Sequence, residues 1–238
     1  MYGTYLPLTP DVASLSSSLE AIQKPLDLAQ PPLDYAMSRL AGKGGLALEF
    51  GVAGGASLRT IVASRKFSRV IGFDCWTGLP HDWVADWVKG SFSQGGVPPD
   101  VHGAELVSGL FEDTVPPFLG ALPADSDLRL VHIDCDLYTS AAVVLSALAA
   151  YLERAADAGH APDKLWLCFD ELRGFEGQLD GELRALHEML AAHPRLHCLV
   201  AGCDQRPVVG PLLQYYTPDA ACPFRVATCL TVDAPAIA

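Results

Sequence analysis

Two apolar runs end in closely spaced acids, and no other feature constrains the fold of this chain as much. Leu128-Arg-Leu-Val-His-Ile runs into Asp134-Cys-Asp136, and Leu165-Trp-Leu-Cys-Phe runs into Asp170-Glu171. Short apolar runs of this kind read as buried strands, here with charge at the carboxyl end. In open α/β sheets a ligand sits just outside the carboxyl ends of the strands. Four carboxylates gathered there repel one another unless a cation or a proton donor lies among them.

The rest of the chain alternates in the same way. Residues 11–42 read as helical, interrupted at Pro25 and at Pro31-Pro32 and ended by the glycines at 42–45. Leu46 to Phe50 is a short strand, Gly51-Val-Ala-Gly-Gly55 a tight turn, Ser57 to Ser64 opens a helix, and Val70 to Asp74 is a strand ending in an acid. Residues 75–103, with Trp76, Trp83 and Trp87, read as a long structured loop. A short strand near 105–107 precedes a helix at 115–122 and the first acid-tipped strand at 128–134. Ala141, Val144, Leu145, Leu148 and Leu152 then mark a helix at 139–156. The second acid-tipped strand, 165–170, is followed by a loop at 172–181, a helix at 181–193, and a closing antiparallel strand pair at 196–201 and 225–232. The pattern implies an α/β fold with a mostly parallel central sheet and helices on both faces. One domain suits 238 residues, with 1–45 as an N-terminal helical cap segment and 46–238 as the core.

A net charge of −12 argues against nucleic acid and anionic membrane as partners, since both need basic patches. The seven Cys are scattered with no C-x-x-C, as in a reduced, cytoplasmic protein. The first residues lack the pattern of a signal peptide. No run approaches the roughly 18 uninterrupted apolar residues of a membrane span.

Strand, glycine turn, helix, strand, acid is a nucleotide-binding order, although an ordinary strand-to-helix turn has the same outline. Asp74 is placed to accept the hydrogens of both ribose hydroxyls. A dinucleotide fingerprint requires G-x-G-x-x-G/A, and here Gly51, Ala53 and Ala56 stand in those places, without the middle glycine that admits a pyrophosphate. Glu49 would face a pyrophosphate poorly and an ammonium group well. S-adenosylmethionine carries an ammonium, a sulfonium and a ribose diol, and no phosphate. The rival readings are an NAD-dependent oxidoreductase and a non-catalytic cofactor-binding subunit.

E-F-G-V-A-G-G-A-S (49–57) resembles motif I of class I S-adenosylmethionine-dependent methyltransferases, whose fold is Rossmann-like. G-F-D-C-W-T-G-L-P (72–80), G-L-F-E-D-T-V-P (109–116), H-I-D-C-D-L-Y-T-S (132–140) and F-D-E-L (169–172) follow in order. Together they resemble the macrocin O-methyltransferase family, which methylates sugar hydroxyls in natural-product biosynthesis, and more distantly the catechol O-methyltransferases. The match spans about residue 46 to about residue 190. The resemblance implies Mg²⁺ or another divalent cation on Asp134, Asp170 and Glu171, with Asp136 as general base. It puts Glu49, Gly51 and Ser57 at the methionine end of the cofactor, Asp74 at the ribose, and Phe111 and Glu112 by the adenine. The family's usual Asp-Asp after the second strand is Asp-Glu here, which puts Glu171 in question, and the segment between the acid strands is longer than the family's.

The chemistry explains such a set. Methyl transfer is an in-line displacement that depends on positioning. A phenol, with a pKa of about 10, needs modest activation. An aliphatic hydroxyl, nearer the ~15.7 of water, needs more. A cation polarising the acceptor oxygen supplies it, and a neighbouring carboxylate takes the proton. The expected partner is a small-molecule hydroxyl acceptor, and the apolar N-terminal segments are compatible with a homodimer. The plainer readings make Asp136 and Thr139 caps of the following helix, His132 a packed core histidine, His81 a surface residue, and the tryptophans loop anchors.

Overall fold

The computed structural model describes residues 4–23, 31–84, 87–162, 164–173, 177–204 and 226–233. The strands are β1 (Thr4–Tyr5), β2 (Leu46–Phe50), β3 (Arg69–Asp74), β4 (Glu105–Ser108), β5 (Leu128–Ile133), β6 (Leu165–Arg173), β7 (His197–Asp204) and β8 (Val226–Asp233). The helices are α1 (Val12–Gln23), α2 (Pro32–Arg39), α3 (Ala56–Ala63), α4 (Phe111–Ala121), α5 (Tyr138–Asp157) and α6 (Glu182–Ala192). The strands form one sheet in the order β1-β7-β8-β6-β5-β2-β3-β4. The five from β6 to β4 are parallel, and β8 runs antiparallel to both β6 and β7.

Side chains alternate across a strand, so each apolar run feeds two cores. Leu48 and Phe50 of β2, Val131 and Ile133 of β5, and Leu167 and Phe169 of β6 join α1, α4, α5 and α6 in the larger core. Ala47, Leu130, Trp166 and Cys168 face the other way, with α2 and α3. Residues buried on both faces are what made these strands read as continuous apolar runs. The described part of the N-terminal segment belongs to this body: β1 pairs with β7, and Leu15 and Leu19 of α1 lie in the larger core. Among the described residues no helix is long and apolar enough to cross a membrane.

Two boundaries differ from expectation. The helix expected at 115–122 starts at Phe111, with Pro116 and Pro117 inside it. Glu112 and Asp113 occupy its first turn, where negative charge complements the helix dipole. The strand expected to stop at 170 continues to Arg173, with its pairing to β8 interrupted between Phe169 and Arg173. Asp170 therefore lies in an irregular stretch of strand, a type of bulge that re-aims side chains beside active sites.

Candidate active site

The glycine turn after β2 is held by the acid that ends β3. Asp74 Oδ2 accepts the N–H groups of Val52 (2.9 Å) and Ala53 (2.7 Å), and Oδ1 accepts that of Trp76 (2.7 Å). A carboxylate has about four acceptor positions, so room remains for about one further donor rather than two. The same bonds occupy two amides that a phosphate would otherwise use. Removing this acceptor by Asp74→Ala is expected to cost about 2–4 kcal/mol of stability, because three N–H groups lose a charged partner. Denaturant unfolding checks this, and an unchanged midpoint would contradict it.

Behind the turn, Glu49 is fully buried. Its Oε1 accepts the Ser57 hydroxyl at 2.6 Å, and Oε2 lies 3.8 Å from His132 Nδ1. The pairing is fixed by the sheet, in which Glu49 and His132 are register partners on β2 and β5. Burial alone would lower the His132 pKa, but Glu49, assisted by Asp134 and Asp170, pushes it up to about 10. The histidine read as core packing is buried as expected, and Glu49 and the neighbouring acids favour its protonated form.

At the end of β5 the chain turns sharply. Leu137 N–H donates to the Cys135 carbonyl at 2.6 Å, and the intervening Asp136 has φ +60°. This is a γ-turn of the uncommon, strained hand. Helix α5 starts after it from Leu137 with no side-chain cap, so Asp136 and Thr139 do not cap it. Asp134 is held well above the usual carboxylate range by burial first, then by the charges of Asp170 and Asp136.

A further acid was not expected here. Glu182, the first residue of α6, is buried and accepts the Cys135 N–H at 2.9 Å. Its Oε2 has no hydrogen-bond partner among the described residues. Burial pushes its pKa up to about 8, against the lowering effect of the Cys135 N–H, with Asp136 and Asp170 adding to the rise. Nothing in Asp180-Gly-Glu-Leu-Arg distinguishes this residue from a solvated first-turn acid.

Two cavities lie beside these groups. The larger, of about 540 Å³, lies over the carboxyl ends of β2, β3, β4 and β5. One end is lined by Asp74, Gly109, Phe111 and Glu112, and the other by Asp134, Asp136 and Asp170. Phe111 also meets Phe50 edge-on at 6.0 Å, so it both packs and faces the cavity. His81 is exposed, as the plainer reading has it, and it also lines the larger cavity, with its Nε2 2.8 Å from Thr139 Oγ1. The smaller cavity, of about 230 Å³, is bordered by Asp34, Ser57, Thr60 and His132 and shares Asp134 and Asp170 with the larger. Gly51 lines the larger cavity, while Glu49 lines neither and acts through Ser57 and His132. The tryptophans are not in the walls: Trp76 is buried in the smaller core and Trp87 stacks on Phe92 at 4.3 Å.

Of the expected metal ligands, Asp134 and Asp170 come together, whereas the Glu171 side chain lies outside the described residues. Among the described residues no three His, Cys, Asp or Glu side chains converge closely enough to hold a metal ion. Two carboxylates fit a cation such as Mg²⁺, which is often bound by one or two carboxylates with water and substrate oxygens completing its shell. The repulsion that raises Asp134 is what a cation would relieve.

The pH dependence of stability follows from the buried groups. His132 rises from 6.5 to about 10 on folding and Glu182 from 4.5 to about 8, so both bind protons more tightly in the folded state. Stability from Glu182 is lost between those two values, and stability from His132 is present below 6.5 and lost as pH rises through about 10. The thermal midpoint of the metal-free protein is expected to fall steadily from pH 6.5 to 10. Scanning calorimetry tests this, and a midpoint that rises across that range would contradict it.

The sheet, its flanking helices and the cavity at the strand ends define a Rossmann-like fold. No family model and no curated protein sequence matches the chain. Among solved structures it is similar to CalS11, a calicheamicin methyltransferase, with a TM-score of 0.52 and 21% identity over 93% of this chain and 86% of that one. An apo structure of CalS11, described as a TDP-rhamnose 3'-O-methyltransferase, gives 0.45 and 23% over 83% and 75%. An O-methyltransferase from Bacillus cereus in complex with SAH gives 0.44 and 15% over 96% and 92%. The first of these likenesses establishes the fold, and at that identity nothing finer.

Proposed function

We propose that this protein is an S-adenosylmethionine-dependent O-methyltransferase that acts, with a divalent cation, on a hydroxyl of a small molecule. The observation that carries the reading is the wall of the larger cavity. Five acidic side chains, Asp74, Glu112, Asp134, Asp136 and Asp170, line it, and among the described residues no Lys or Arg does. Such a wall favours a cationic donor and disfavours a pyrophosphate. The Val52 and Ala53 amides, already bonded to Asp74, count further against a dinucleotide.

In this reading Phe111 and Glu112 face the adenine, and the remaining acceptor position of Asp74 takes one ribose hydroxyl. The methionine end lies toward Gly51 and Ser57, with Ser57 oriented by Glu49. Asp134 and Asp170 hold the cation, which when bound lowers the pKa of the acceptor hydroxyl. Asp136 takes the hydroxyl proton as the oxygen–carbon bond forms and the carbon–sulfur bond breaks, leaving a methyl ether and S-adenosylhomocysteine. A vicinal diol, in a sugar or catechol-like unit of a natural product, suits two oxygens on one cation. Cys75 and Cys135 are free thiols, which supports a reducing compartment such as the cytoplasm.

Transfer of labelled methyl from S-adenosylmethionine to a panel of sugar and catechol diols tests the reading. Transfer with Mg²⁺ that stops on chelation is expected. Cofactor binding with no transfer to any diol would favour the non-catalytic reading.

A further inference from the structure

We propose that Glu182 is the positioning residue of the turn that carries Asp134 and Asp136: its buried carboxyl oxygen, by accepting the Cys135 N–H, sets the directions in which the two acids leave the chain. The inference rests on the metal reading above and concerns a residue outside both cavities.

The turn needs an external hold. The Asp134 N–H is anchored to the Phe50 carbonyl of β2 at 2.9 Å, which fixes the end of β5. One residue later the backbone enters the γ-turn, with Asp136 at φ +60°. A non-glycine residue in that region persists only where its surroundings over-determine it. The one side chain bonded to the intervening Cys135 N–H among the described residues is Glu182, 47 positions away in sequence. Cys135 itself is buried, its thiol directed to the Phe50 carbonyl at 3.7 Å. Without Glu182, that buried N–H loses the side-chain acceptor that satisfies it.

A carboxylate at the first position of a helix has a plain alternative role, complementing the dipole of its own helix. The geometry speaks against that as the whole explanation. Helix α6 has no side-chain cap, and the hydrogen bond of the Glu182 side chain among the described residues crosses to the acid-bearing turn. A solvated carboxylate would serve the dipole as well. A buried one is costly unless it does something there that an exposed one cannot.

Metal affinity reads this role without any acceptor substrate. The full-length, metal-stripped protein is titrated with Mn²⁺ by electron paramagnetic resonance, and with S-adenosylhomocysteine by calorimetry. Glu182→Ala is expected to weaken Mn²⁺ binding at least about tenfold, the scale on which groups that orient metal ligands act, and to leave S-adenosylhomocysteine within about twofold. Glu182→Gln keeps an oxygen acceptor for the Cys135 N–H and is expected to remain within about threefold of wild type for Mn²⁺. Where Glu182→Ala does not fold, Glu182→Asp replaces it, since a side chain shorter by one methylene withdraws the acceptor while keeping the carboxyl group. Wild-type Mn²⁺ affinity in Glu182→Ala or Glu182→Asp overturns the proposal and leaves the metal reading standing. Equal weakening of Mn²⁺ and S-adenosylhomocysteine also overturns it, because the role is then general stability. A wild-type protein that binds no Mn²⁺ overturns the metal reading and this proposal together.

Discussion

Asp134→Asn is expected to raise the thermal midpoint of the metal-free protein at pH 9 and to reduce methyl transfer by about 10²–10³-fold, the scale lost when one preorganised electrostatic group is removed from an active site. The stability gain follows from the surroundings of Asp134. Burial, Asp170 and Asp136 all disfavour its charged form, so the fold holds that charge against its own electrostatics. Asparagine keeps nearly the same shape and removes the charge. Activity is expected to move the other way, because Asp134 and Asp170 are the two proposed cation ligands that line the cavity. Opposite signs of this kind mark a residue kept for function at the expense of stability. A lower midpoint with wild-type turnover would show that Asp134 is structural.

Gly51→Ala is expected to be the most destabilising single substitution in the site. Gly51 has φ +92°, and a β-carbon there would fall 1.8 Å from the carbonyl oxygen of Asp134 and 2.7 Å from its carbon. Both atoms are backbone of the neighbouring strand end, so no rotamer change relieves the contact. The strand ends of β2 and β5 must separate where the glycine turn meets the acid turn. The cost is expected to exceed about 4 kcal/mol, in the range reserved for strain and overpacking. For a domain of this size that is a drop of about 8–16 °C in the thermal midpoint. Gly54, three residues on, has open space around its Cα and serves as the control. Gly54→Ala is expected to stay within about 1 kcal/mol of wild type. Equal effects at the two positions would show that the close approach of the two turns is not what fixes the site.

The strands that carry the site are legible in the sequence because both sheet faces are covered. Alternate residues of β2, β5 and β6 fall in different cores, so the runs stay apolar on both sides and stop where the site begins. The glycine turn and Asp74 are legible for a related reason, since a backbone that must pass close to β5 leaves glycine as its signature. What the sequence did not show is what crosses between distant elements. Glu182 sits in an ordinary helix start, and only tertiary packing carries its carboxylate to Cys135. His132 looked like core because it is core by burial, while the pull toward its protonated form comes from Glu49 on the neighbouring strand. A signal for that pair was present: two parallel strands with Glu49 inside one apolar run and His132 inside the other, at positions that a common register brings level. The contact of His81 with Thr139 depends on a long loop folding back over α5, which no periodicity records. The start of α4 was obscured by two prolines that sit in its second turn.

The central claim is that the larger cavity holds S-adenosylmethionine. Calorimetric titration of the full-length protein with S-adenosylhomocysteine, alongside a fluorescence titration with NADH, tests it most directly. One S-adenosylhomocysteine bound per chain is expected, with no response to NADH. Saturable NADH binding with no heat from S-adenosylhomocysteine would contradict the claim and return the site to the oxidoreductase reading.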